Sequence, residues 1–125
     1  HIELTYNDKV LQIDSLAKYC PDLSRLSIAG CRNADIASFA RLAYQCPHLS
    51  LIDLTSCPQV NDSCLISLFQ NCKNLRSLTL DKCIAVTDSS LRSLSQNSYQ
   101  LEHISIAGCK HVSDTSLLPA VDVCG

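Results

Sequence analysis

Eight cysteines, at positions 20, 31, 46, 57, 72, 83, 109 and 124, are spaced in steps of 11, 15, 11, 15, 11, 26 and 15. The long step is the sum of the two short ones, and Ser98 stands where the missing cysteine would fall. A fixed period limits a chain more than composition does, because it implies one structural unit made several times over. Segments starting at Cys20, Cys46, Cys72 and Ser98 align without insertion. Four columns are then apolar throughout: Leu23, Leu49, Leu75, Leu101; Leu26, Ile52, Leu78, Ile104; Ile28, Leu54, Leu80, Ile106; and Phe39, Leu65, Leu91, Leu117. Leu42, Leu68, Leu94 and Ala120 form a fifth.

Each unit carries two periodicities. Leu75-x-x-Leu78-x-Leu80 ends in strict alternation, the pattern of a short strand with one buried face. Leu91-x-x-Leu94 has helical spacing, preceded by Thr87 as a capping hydroxyl and Asp88 as a first-turn acid. Asn61-Asp62 and Ser113-Asp114 repeat that start signal, while in the first unit Asp35 falls at the cap and Ile36 follows it. One strand and one helix in so short a unit cannot enclose their own apolar faces, so neighbouring units must stack, strand beside parallel strand and helix beside helix. The expected product is a curved α/β solenoid. Its units are 20–45, 46–71, 72–97 and 98–123 within a span of 20–125, preceded by a partial repeat over 1–19 in which Ile2-x-Leu4 is a candidate strand. The abrupt start at His1 and end at Gly125 suggest a piece of a longer array. Pro119, in the second turn after the Ser113 cap, predicts a short or displaced final helix.

The series Cys72, Leu75, Leu78, Leu80, Cys83, Val86, Thr87, Asp88 and Leu91 resembles the cysteine-containing subtype of the leucine-rich repeat. The resemblance covers residues 20 to 123. It implies a right-handed solenoid with a parallel sheet on the concave face and helices on the convex face. It also implies a protein-binding role, since such arrays are most often found in F-box proteins, where they present substrates to a Skp1–cullin ubiquitin ligase. Related arrays without an F-box serve as regulatory adaptors in DNA repair and the cell cycle. No F-box sequence is visible in the chain, so that connection would run through a segment outside it.

Nine cysteines in 125 residues also raise the possibilities of disulfides and of metal. Cys46 and Cys57 would lie about 20 Å apart along an extended strand, beyond the ceiling of about 7 Å between Cα atoms for a bridge. Equivalent cysteines in adjacent units would stack at about 5 Å, so geometry leaves a pair such as Cys57 and Cys83 open. The odd count and Ser98 argue against it, and the expectation is a set of small buried thiols donating to carbonyls of the turning backbone. An extracellular module closed by disulfides is the competing reading; a thiol count under denaturing conditions separates the two. Zinc-type pairing is limited to Cys46-Pro-His48 and Cys109-Lys-His111, with each histidine in a turn, and no metal site or cofactor is expected. No phosphate loop, nucleophile elbow or irregular cysteine and histidine pair points to catalysis. The chain is not expected to be an enzyme.

A net charge of −2 offers no basic excess for a nucleic-acid backbone, and no apolar run is long enough to span a bilayer. An intracellular setting, cytoplasmic or nuclear, follows from the family resemblance. What remains is the strand face, from which Arg25, Leu51, Asp53, Thr55, Ser77, Thr79, Asp81 and His103 are expected to project as the protein-binding surface. Asp53 and Asp81, with Glu102 near, tilt its centre acidic and favour a basic or polar partner. Because Leu51 and Asp53 face away from the core, replacing either with alanine is expected to leave melting unchanged. Arg41 and Arg92 are expected on the outer, helical side.

Overall fold

The period of the sequence reappears as strand register. The computed structural model describes residues 2–3, 22–30, 41–42, 44–97, 100–113 and 122–124. Within these, six strands form one sheet in chain order, every neighbouring pair parallel. They are β1 (Ile2–Glu3), β2 (Arg25–Ser27), β3 (Leu51–Asp53), β4 (Ser77–Thr79), β5 (His103–Ser105) and β6 (Asp122–Cys124). Leu26 pairs with Ile52, Ile52 with Leu78 and Leu78 with Ile104, each step one repeat along the chain. Two helices of ten residues each, α1 (Asp62–Asn71) and α2 (Asp88–Asn97), pack against one another. The architecture is mixed α/β on a parallel sheet.

The end joints are shorter than a full repeat. Ile2 pairs with Leu26, and His103 pairs with Asp122. Asp122 and Val123, which the repeat count places at the end of the fourth unit, are therefore strand residues. Val121-x-Val123 carries the β-branched alternation that favours extended backbone, and this local pattern overrides the repeat count. Leu4, the Asp35 cap, Phe39, Leu117 and the Pro119 segment lie outside the described residues.

Each described member of the five apolar columns is buried. Leu23, Leu26 and Ile28 with their counterparts line the inner side of the sheet, and Leu65, Leu68, Leu91 and Leu94 cover them from the helices in one continuous core. Phe69, on α1, is buried in the same core. Helix starts follow the capping chemistry: the Asn61 side chain accepts from the Cys64 N–H at 3.0 Å, and Thr87 Oγ1 accepts from the Ser89 N–H at 3.2 Å.

Pairing continues past each strand. The N–H groups of Ile28, Leu54 and Leu80 donate to Asp53, Thr79 and Ser105, and those of Gly30, Ser56 and Lys82 donate to Thr55, Asp81 and Ala107. Just beyond the last buried residue of each strand segment, the chain turns into the helical layer through a left-handed position, occupied by Gly30 (φ 76°), Ser56 (φ 58°), Lys82 (φ 61°) and Gly108 (φ 75°). Only two of the four are glycine, although a side chain costs about 1–2 kcal/mol there. A Cβ on Gly108 would also meet Lys82 Cγ at 3.3 Å. Gly108→Ala is therefore expected to cost about 1–2 kcal/mol, and Ser56→Gly to raise stability by about 0.5–1 kcal/mol once the added freedom of the unfolded chain is subtracted. Urea midpoints of the two variants should move in opposite directions.

Candidate protein-binding face

Because Leu26, Ile52, Leu78 and Ile104 point inward, the residues on either side of them point out of the sheet. Parallel register sets these into straight rows. Arg25, Leu51, Ser77 and His103 form the first, with Arg25 and His103 exposed and Leu51 and Ser77 half-buried. Ser27, Asp53, Thr79 and Ser105 form the second, all half-buried, and Ala29, Thr55, Asp81 and Ala107 continue the face past the strand ends. All eight residues expected on this face are thus brought to one side of the sheet. Arg41 and Arg92 are exposed and belong to the helical layer.

The two aspartates are not idle surface charges. Asp53 Oδ1 accepts from Thr55 N–H at 3.0 Å and from Thr55 Oγ1 at 2.6 Å. Asp81 Oδ1 accepts from Ser105 Oγ and from the Ala107 N–H at 2.9 Å, both in the next repeat. Asp53 folds its own turn, and Asp81 fastens two units together. The expectation that Asp53 can be replaced with no effect on melting is corrected on this ground, since its loss would free a turn N–H and a hydroxyl.

The cysteines behave as small donors. Sγ of Cys57, Cys83 and Cys109 lies 3.2, 3.0 and 2.9 Å from the carbonyl oxygens of Ile28, Leu54 and Leu80, each in the preceding repeat. Six cysteines, 46, 57, 64, 72, 83 and 109, are buried and outside any disulfide. Burial pushes the thiols of Cys64, Cys72 and Cys83 up to about 12, and that of Cys109 upward. At neutral pH these are thiols, and thiolate chemistry is suppressed. His48 and His111 are exposed, and no group of three metal-ligating side chains occurs among the described residues.

A second set of bonds runs along the helix starts. Asp62 accepts from the N–H of Thr87 at 2.9 Å, from Thr87 Oγ1 and from Ser90 Oγ; one repeat later Asp88 accepts from Ser113 N–H at 3.0 Å and Ser113 Oγ at 2.8 Å. Capping rules predict the first-turn acids but not their reach into the next repeat. The signal is nevertheless present in the chain: a hydroxyl stands at the cap only where the preceding unit supplies an aspartate, and after Ile36 the cap is Asn61.

Neither a protein-family model nor a curated protein matches the chain. Seventeen chains of known structure do. One belongs to the crystal structure of the Rad7 and Elc1 complex in yeast, at 16% identity and a TM-score of 0.51, with the match covering 82% of this chain and 32% of that one. The likeness is one of fold, and the chain spans about a third of that neighbour's length. Among the described residues no helix is long and apolar enough to cross a membrane.

Proposed function

We propose that the chain is part of a leucine-rich-repeat solenoid whose strand side is a concave surface for binding another protein. In this reading it acts as the substrate-recognition array of an F-box-type ubiquitin ligase subunit, without catalytic activity of its own. The observation that carries the binding role is the first row of the strand face. Parallel register sets four side chains of different chemistry, Arg25, Leu51, Ser77 and His103, side by side, the outer two exposed and the inner two half-buried, while the apolar residue that follows each along its strand is committed to the core. The chain's fold is like one found in the crystal structure of the Rad7 and Elc1 complex, which supports a protein partner. An intracellular setting, cytoplasmic or nuclear, belongs to this reading. An adaptor without a ligase role uses the same face, and the Skp1–cullin link distinguishes the two.

Affinity capture with the parent chain tests both parts. Leu51→Ala is expected to weaken partner capture by about 2 kcal/mol or more if it sits at the centre of the contact, with thermal melting little changed because the side chain is only half-buried. Arg92→Ala should leave capture intact. Co-purification of Skp1 supports the ligase reading, and its absence alongside intact partner capture favours the adaptor. Loss of capture in Arg92→Ala with Leu51→Ala silent would move the binding surface to the helices.

A further inference from the structure

The partner's chemistry can be narrowed on the strength of that binding reading. The formal charges on the three rows of the strand face are those of Arg25, Asp53 and Asp81, so carboxylates outnumber cations. The groups that bond the two aspartates are neutral N–H and hydroxyl donors, which orient a carboxylate and favour its charged form without cancelling the charge. All four bonds end on Oδ1. Oδ2 of each aspartate accepts none of them, and among the described residues no cation pairs with either. Lys82, next to Asp81, sends its side chain toward the following repeat, where its Cγ lies 3.3 Å from the position a Cβ on Gly108 would take.

Asp53 pairs in register with Thr79, and the Ser56 N–H donates to the Asp81 carbonyl, which continues that register and sets Thr55 beside Asp81. The four residues therefore form a rectangle of about 4.8 by 6.6–7 Å, with the aspartates on one diagonal about 8 Å apart and the threonines on the other. An ammonium is a point charge that settles on one carboxylate, whereas a guanidinium carries donors on two edges and can meet both. Strands β3 and β4 are hydrogen-bonded on both sides, so a partner here is read by side chains and not added as a strand. We infer that this rectangle seats one arginine side chain of the bound protein. One edge of its guanidinium meets Oδ2 of Asp53 and the other meets Oδ2 of Asp81, with the Thr79 hydroxyl as a further acceptor.

The bonds on Oδ1 make the charge separable from the fold: in Asp53→Asn and Asp81→Asn the amide oxygen keeps the existing donors. The test titrates capped Gly-Gly-Arg-Gly-Gly, and the same peptide with lysine or glutamate at the centre, into the isotopically labelled chain. Amide shifts at Asp53, Thr55, Thr79 and Asp81 are expected with the arginine peptide, with the lysine peptide about threefold weaker and the glutamate peptide about tenfold weaker or more. The double asparagine variant, its fold checked by its amide spectrum, should lose the preference for arginine over glutamate. Added salt should weaken arginine binding to the unaltered chain, a measurement that needs no variant. Equal binding of arginine and glutamate peptides, a preference kept by the folded double variant, or indifference to salt overturns the cationic seat while leaving the strand-face reading intact. Equal binding of lysine and arginine overturns the assignment to arginine. Shifts confined to α1 and α2 sink the strand-face reading itself. No shift at any peptide concentration up to the millimolar range overturns the inference, and capture by Leu51→Ala then decides the face separately.

Discussion

Leu78→Ala lowers the stability of the chain by about 2–5 kcal/mol, the range for emptying a buried leucine site that cannot fully collapse. Leu78 is the middle residue of β4, paired with Ile52 on one side and Ile104 on the other, and only 1% of its surface is accessible. It belongs to the apolar cluster that joins the sheet to both helices, so the cavity opens where sheet and helix layers meet. Domains of this size have total stabilities of about 5–15 kcal/mol, and in stacked repeats each unit leans on its neighbours. A break at the centre should therefore weaken the units on both sides. Urea unfolding with an unchanged slope and a lowered midpoint is the expected result. A loss under about 1 kcal/mol would contradict the burial of Leu78, because that is less than the transfer free energy of the removed methyl groups.

Asp62→Asn is the second large effect, expected at about 1–3 kcal/mol, since bonds to a charged acceptor contribute about 1.5–3 kcal/mol each, the charge is lost from all three, and the amide sets N–H against at least one of the donors. The amide keeps the shape of the carboxylate but presents N–H where Thr87 and the fully buried Ser90 also bring donors. Burial alone would raise the pKa of Asp62, but the bonds from the Ser90 hydroxyl, from the Thr87 hydroxyl and from backbone N–H groups outweigh it and hold the carboxyl below its ordinary value. A depressed folded-state pKa means that the contribution is fully present above the unfolded value of about 3.9 and is lost as pH falls through the lower folded value. The unaltered chain should thus lose stability across that acidic window. Asp62→Asn, with no proton to bind there, should lose less over the same interval. Denaturation midpoints of both proteins on either side of the window decide the matter, and parallel pH profiles would rule out the carboxylate as the source.

Much of this architecture is legible in the amino-acid sequence alone. The leucine columns can be read because a side chain's burial depends on its place in the period, and each repeat returns the chain to the same place. The burial and donor role of the cysteines can be read for the same reason, but not that each accepting carbonyl belongs to the preceding repeat. The aspartates are an exception. Asp53 and Asp81 alternate with buried residues and so look like free surface charges, but their acceptor oxygens are taken by groups 2 to 26 residues away, a relation that alternation does not encode. The left-handed turn shows only as Gly30 and Gly108, because Ser56 and Lys82 occupy the same conformation without its usual residue. The last strand is hidden by the repeat itself, whose count assigns Asp122 and Val123 to a unit that in fact closes early.

The named side-chain bonds between repeats share one direction. The donor is always in the later repeat and the acceptor in the earlier one: Ser50 to Ser24, Cys57 to Ile28, Asn74 to Pro47, Thr87 and Ser90 to Asp62, Ser105 to Asp81, and Ser113 to Asp88. The backbone bonds run both ways, but in these side-chain bonds each unit has two chemically distinct ends, one supplying accepting oxygens and one supplying donor groups. Two like ends brought together would set acceptor against acceptor or donor against donor, while unlike ends satisfy one another. The stack therefore has a polarity, written in its side chains independently of its loops. A unit emerging from the ribosome always meets a neighbour already made, and that neighbour presents the oxygens its side-chain hydrogens require.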